Sequence, residues 1–218
     1  MTAPARFRYL ALGDSYTIGE GVTPTEAFPF QLADQLNTDT APGVTVIART
    51  GWTTDELMGA VAEQDLPNTF DLVTLLIGVN NQYRGYSLTV YREEFKALLK
   101  RAIQFAGDQR NRVVVLSIPD WGVTPFAKKE SRTAAQISSE IERFNSINRE
   151  ESEREGVVYI NITPVSRQAF TDPTLLAPDG LHPSGRMYSL WVGQMLSCPA
   201  FPDIFFKDKP VAKNKLKP

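Results

Sequence analysis

The sequence of 218 residues has one cysteine, Cys198, and one histidine, His182. A lone cysteine excludes an internal disulfide framework, and so few soft ligands argue against a zinc site of cysteine and histidine. Charge of one sign is also missing: 23 basic and 25 acidic residues nearly cancel. No global field therefore favours nucleic acid or an anionic membrane surface. No apolar run approaches the roughly 20 residues of a membrane span. The opening "MTAPARFRYLALGDS" is likewise too short in apolar residues for a signal-peptide core. The expectation is a cytoplasmic chain without membrane insertion and without nucleic-acid partners. Internal repeats and low-complexity stretches are absent as well. The length suits one domain with a buried core, or one domain with an appendage.

What is present is alternation. The runs "FRYLAL", "VTVIAR", "DLVTLLIG", "RVVVLSI" and "VVYINI" are rich in β-branched residues and separated by segments of helical period. Five such strands alternating with helices predict an α/β fold with a parallel sheet. The runs are apolar nearly throughout, as strands covered on both faces must be, which gives three layers. In "SLTVYREEFKALLKRAIQFAG" the spacing puts Val90, Phe95, Leu98, Leu99, Ala102 and Phe105 on one stripe. The charge run that ends "RTAAQISSEIERFNSINREESERE" reads as a solvated face. "SGRMYSLWVGQML" reads as a closing helix capped by Ser184. The domain is expected over 1–198; in an extension over 199–218, "FPDIFF" packs and the lysine-rich end frays.

In open α/β sheets ligands bind beyond the carboxyl ends of the strands. There the sequence places Asp14 and Ser15, then Gly51 and Trp52, then Asn80 and Asn81, and finally the loop "PDGLHPS". These are the residue types a serine hydrolase needs: a hydroxyl, an imidazole, a carboxylate to orient it, and oxyanion donors. Asp179 stands three residues before His182 and can reach its Nδ1. Ser15 can alternatively be a helix N-cap. It does not fit a phosphate loop, because "GDSYTIGEG" has no lysine and carries Asp14 and Glu20. Gly51 can equally be a turn glycine, and Asn81 competes with Asn80 for the donor role. Asp14 is expected to hold its loop rather than to react.

The blocks "ALGDSYTIGEG", "ARTGWTTDEL", "LIGVNN" and "DGLHPS" together resemble those of the SGNH hydrolases, the GDSL-type esterases and lipases, and stand in that family's order. The resemblance implies a flavodoxin-like three-layer fold and ester hydrolysis through an acyl-enzyme, with neither metal nor organic cofactor. It implies Ser15, Asp179 and His182 as catalytic residues, and Ser15, Gly51 and Asn80 as the oxyanion hole. Two positions depart from the pattern: Tyr16 replaces the leucine of the first block, and Asn81 replaces the aspartate of the third, which puts that loop's supporting hydrogen bonds in question.

Trp52, Tyr83, Tyr86 and Trp121 fall in loops at the same end. Trp52, Tyr83 and Trp121 are taken as candidate walls of a substrate pocket, since such pockets are largely apolar. The expected partner is a small-molecule ester. A carbohydrate O-deacetylase or an acyl thioesterase would use the same residues, and a non-catalytic binder of acylated ligands is the alternative of a different class. Neither the preferred acyl chain nor the oligomeric state follows from the sequence.

Overall fold

Five parallel strands form one sheet in the computed structural model, which describes residues 7–36, 43–67 and 69–201. They are β1 (Arg8–Gly13), β2 (Gly43–Ala48), β3 (Leu72–Leu76), β4 (Val113–Leu116) and β5 (Val158–Ile160), in the order β2-β1-β3-β4-β5. All five coincide with the apolar runs of the sequence, β1 and β2 extending one residue beyond theirs, to Gly13 and Gly43. Burial follows position: β3 and β4 are buried throughout, whereas the edge strands β2 and β5 are mostly half-buried. Register is continuous across the centre, with Leu12 opposite both Ile47 and Leu75.

The helices are α1 (Ser15–Ile18), α2 (Phe28–Gln35), α3 (Thr54–Ala62), α4 (Val79–Tyr83), α5 (Leu88–Phe105), α6 (Ala134–Glu155), α7 (Thr163–Ser166) and α8 (Gly185–Ser197). Right-handed crossovers send the β1-to-β2 connection to one face and the later connections to the other. Accordingly α2 packs on α8, while α5 packs on both α3 and α6. The result is a three-layer α/β/α sandwich of flavodoxin-like order. The order reverses at β1, so the loops after β1 and β3 open onto the same crevice.

Two details of the helices differ from the sequence reading. On α5 the buried stripe runs through Tyr91 rather than Val90, which is exposed. The charge run of α6 is not wholly solvated: Glu151 is buried and paired with Arg92 of α5 and with Arg154. Ser184 does cap α8, accepting from the Met187 N–H. Among the described residues no helix is long and apolar enough to cross a membrane. Phe201 is buried, and the rest of "FPDIFF" and the lysine-rich end lie outside the described residues.

Candidate active site

Each strand end delivers one part of the site. After β1 the chain turns directly into α1, and Asp14 is its N-cap, accepting from the Tyr16 N–H at 3.0 Å. Ser15 is therefore the first helical residue and not the cap. At that position helix geometry leaves the backbone N–H without an acceptor inside the helix. Asp14 is fully buried, and its Oδ2 has no hydrogen-bond partner among the described residues. Burial pushes its pKa up to about 7 against the opposing pull of the Tyr16 N–H.

The loop before α8 supplies the imidazole and its carboxylate. Asp179 Oδ1 accepts from the N–H groups of Leu181 and His182 at 2.9 and 3.0 Å, an Asx turn that fixes the loop. Its Oδ2 lies 2.6 Å from His182 Nδ1, and His182 Nε2 lies 3.0 Å from Ser15 Oγ. Asp179 thus serves as turn residue and imidazole partner at once. Burial opposes its charge, but the bonds from His182 and from the two backbone N–H groups outweigh it and hold its pKa below the usual carboxylate range. The Tyr16 ring meets the imidazole edge-on at 5.6 Å between centroids.

The loops after β2 and β3 complete the crevice. Gly51 sits at φ +88, a conformation that favours glycine, and its carbonyl accepts from Arg84 at 2.6 Å. Arg84 also pairs with Glu56 at 3.2 Å, joining the end of α4 to the start of α3. Asn80 donates one amide hydrogen to the Trp52 carbonyl at 2.9 Å, which fixes the side chain and leaves the second hydrogen for another acceptor. Asn81 is buried and works elsewhere: its Oδ1 accepts from the Thr54 N–H at 3.1 Å, and its amide donates to Thr54 Oγ1 at 2.6 Å. The two neighbouring asparagines are therefore divided between cavity and scaffold.

Ser15, Gly51, Asn80 and His182 line one cavity of about 180 Å³. Its apolar walls are Val79, Tyr83, Trp121, Phe126 and Leu181. Tyr83 and Trp121 stand where the sequence reading put them. Trp52 does not line the cavity; it packs against the core and lends its carbonyl to Asn80. Tyr86 faces a separate groove. Leu181 is recognisable in hindsight because it lies between Asp179 and His182, whereas nothing in the sequence singles out Phe126. Phe126 is brought in by its N–H, which donates to the Gly180 carbonyl at 3.2 Å. The assembly can do acid–base chemistry on a hydroxyl beside a largely apolar cavity.

Comparison with known proteins supplies the family and the fold. Residues 11–190 match the GDSL-like lipase/acylhydrolase family. No curated protein sequence matches the chain. Among solved structures, a lipolytic protein of the G-D-S-L family from Veillonella parvula is 14% identical over 87% of this chain and 96% of its own, with a TM-score of 0.65. A lipase/acylhydrolase from Enterococcus faecalis is 20% identical, covering 87% of this chain and 93% of its own, at a TM-score of 0.64. An acetylxylan esterase from Geobacillus stearothermophilus is 17% identical, covering 87% and 92%, at 0.62. At these identities the likeness is one of fold; the family match is what carries the chemistry. The chain belongs to the GDSL-like lipase/acylhydrolase family and is a hydrolase of ester bonds.

Proposed function

We propose that the protein is a serine esterase that cleaves small carboxylic esters through an acyl-enzyme. Ser15 Oγ attacks the ester carbonyl while His182 Nε2 takes its proton. Asp179 holds the proton on Nδ1 and steadies the imidazolium that forms. The negative oxygen of the tetrahedral intermediate is received by the Ser15 and Gly51 N–H groups and by the free hydrogen of the Asn80 amide. His182 then returns its proton to the leaving alcohol, and water releases the acyl group by the same steps in reverse. No metal or organic cofactor enters this scheme. The observation that carries the reading is the hydrogen-bond chain of 3.0 and 2.6 Å from Ser15 through His182 to Asp179, opening into the cavity.

The cavity also speaks to substrate size. Its volume of about 180 Å³ lies below the roughly 300–1,000 Å³ of sites that enclose drug-sized ligands. Short acyl groups, acetyl above all, fit it best, which favours O-deacetylation of a larger alcohol over hydrolysis of long-chain lipids or long-chain acyl thioesters. The test is hydrolysis of p-nitrophenyl acetate together with fluorophosphonate labelling. Both are expected in the wild type and lost in Ser15→Ala. Turnover that survives in that variant contradicts the assignment, and a wild type that neither turns over nor labels would instead be a binder of acylated ligands.

A further inference from the structure

A groove of about 750 Å³ lies near the small cavity and is lined in part by Gln82, Tyr86, Leu88, Arg132 and Phe144. The two spaces share no lining residue, yet side chains of one lining lie against side chains of the other. Tyr83 and Trp121 line the cavity, edge to face at 5.6 Å between centroids. Arg132 lines the groove, and its guanidinium carbon lies over both rings, 5.4 Å from each centroid.

We propose that Tyr83, Trp121 and the guanidinium of Arg132 form a partition that limits the acyl chain the site accepts, and that Arg132 is the positioning residue that holds it closed. This rests on the reading above that Ser15 carries the acyl group in the small cavity. The bracing is specific. Arg132 donates to the Gln82 and Tyr83 carbonyls at 3.4 Å and pairs with Glu140 at 3.2 Å and Glu130 at 4.0 Å. The same carboxylates hold the rings: Tyr83 Oη donates to Glu130 at 3.0 Å, while Trp121 Nε1 donates to Gln82, whose amide donates to Glu140 at 2.6 Å. A planar guanidinium can cover two rings and still reach carbonyls and carboxylates; an ammonium cannot do both. Beyond the partition, Tyr86, Leu88 and Phe144 offer apolar surface to a chain that passes it.

The test uses the full chain and two substrate series: p-nitrophenyl esters from acetate to octanoate, and acetyl esters of progressively larger alcohols. Wild-type kcat/KM should fall beyond the shortest acyl chains. In Arg132→Ala, hexanoate and octanoate should gain in kcat/KM relative to acetate, roughly fourfold for each methylene that finds room. Arg132→Lys should restore part of the short-chain preference. Tyr83→Ala removes a ring directly, leaves Arg132 its carboxylate partners, and should shift the preference the same way even if the arginine variant does not fold. An acyl-chain profile unchanged in both alanine variants, or a shift confined to the alcohol series, overturns the proposal. An unchanged profile with Ser15-dependent turnover refutes the partition alone, whereas turnover that persists in Ser15→Ala refutes the esterase reading beneath it.

Discussion

Asn81 stands where the family pattern has aspartate, and its surroundings show why an amide fits. Its nitrogen donates to Thr54 Oγ1, which is thereby free to give its single hydrogen to Glu94. A carboxylate at position 81 would compete with Glu94 for that hydrogen inside a buried site, and its own pKa would rise. A raised carboxyl pKa contributes stability at low pH that is lost as pH rises. Asn81→Asp should therefore lower Tm more at pH 8 than at pH 5, as thermal melts at the two values would show. Asn80 predicts the opposite pattern, a large effect on rate beside a modest one on stability from the lost bond to the Trp52 carbonyl. Removing one oxyanion donor typically costs about 10²–10³ in kcat, so the oxyanion role proposed for Asn80 predicts a loss of that order in steady-state kinetics of Asn80→Ala. Ser15, Asp179 and His182 are legible because each carries chemistry that only a few residue types supply. Trp52, Phe126 and Arg132 are not, because a loop has no period from which the direction of a side chain can be read.

The turn after β3 is tightly constrained. Gly78 sits at φ +123, and a Cβ there would lie 2.3 Å from the hydroxyl of Tyr91, which α5 holds buried at 2.6 Å from Asn148 of α6. Strain and overpacking together make Gly78→Ala costly, on the order of 2–5 kcal/mol by urea denaturation. The same shift would move Asn80 two residues on, so kcat should fall with stability. The helices also show where periodicity reaches its limit. The apolar stripe of α5 is recognisable from spacing, but the exchange of Val90 for Tyr91 is not, because the Tyr91 hydroxyl is buried only by virtue of a partner on α6. Glu151 escapes notice for the same reason: spacing does not distinguish it from the solvated carboxylates beside it, and its burial is made tolerable by Arg92, from another helix, together with Arg154.

At the scale of the molecule, sheet order turns separate motifs into one site. Strands β1 and β3 are neighbours although β2 intervenes in sequence, so Ser15 and Asn80 open onto one crevice while Gly51 reaches it from the edge strand. The alternation of strands and helices was enough to predict this class of fold, and the known binding position in such folds points to the strand ends where Ser15, Gly51, Asn80 and His182 line one cavity. The fold also leaves a signature in pH. Asp14 has an ordinary pKa of 3.8 and is raised to about 7 in the folded chain. Its contribution to stability is complete below the lower value and lost as pH rises through the upper one. Asp14→Asn keeps an acceptor for the Tyr16 N–H but cannot titrate. The stability difference between variant and wild type should accordingly change across that window and be flat above it, as denaturation at a series of pH values would record.

The central claim is that an ester passes its acyl group to Ser15. Mixing the enzyme with excess p-nitrophenyl acetate, quenching in acid within the first turnover and mapping the adduct by mass spectrometry tests it directly. The account predicts an acetyl group on Ser15 and on no other residue, absent in Ser15→Ala together with turnover. An acetyl group mapped to another side chain, or turnover undiminished in Ser15→Ala, would contradict it.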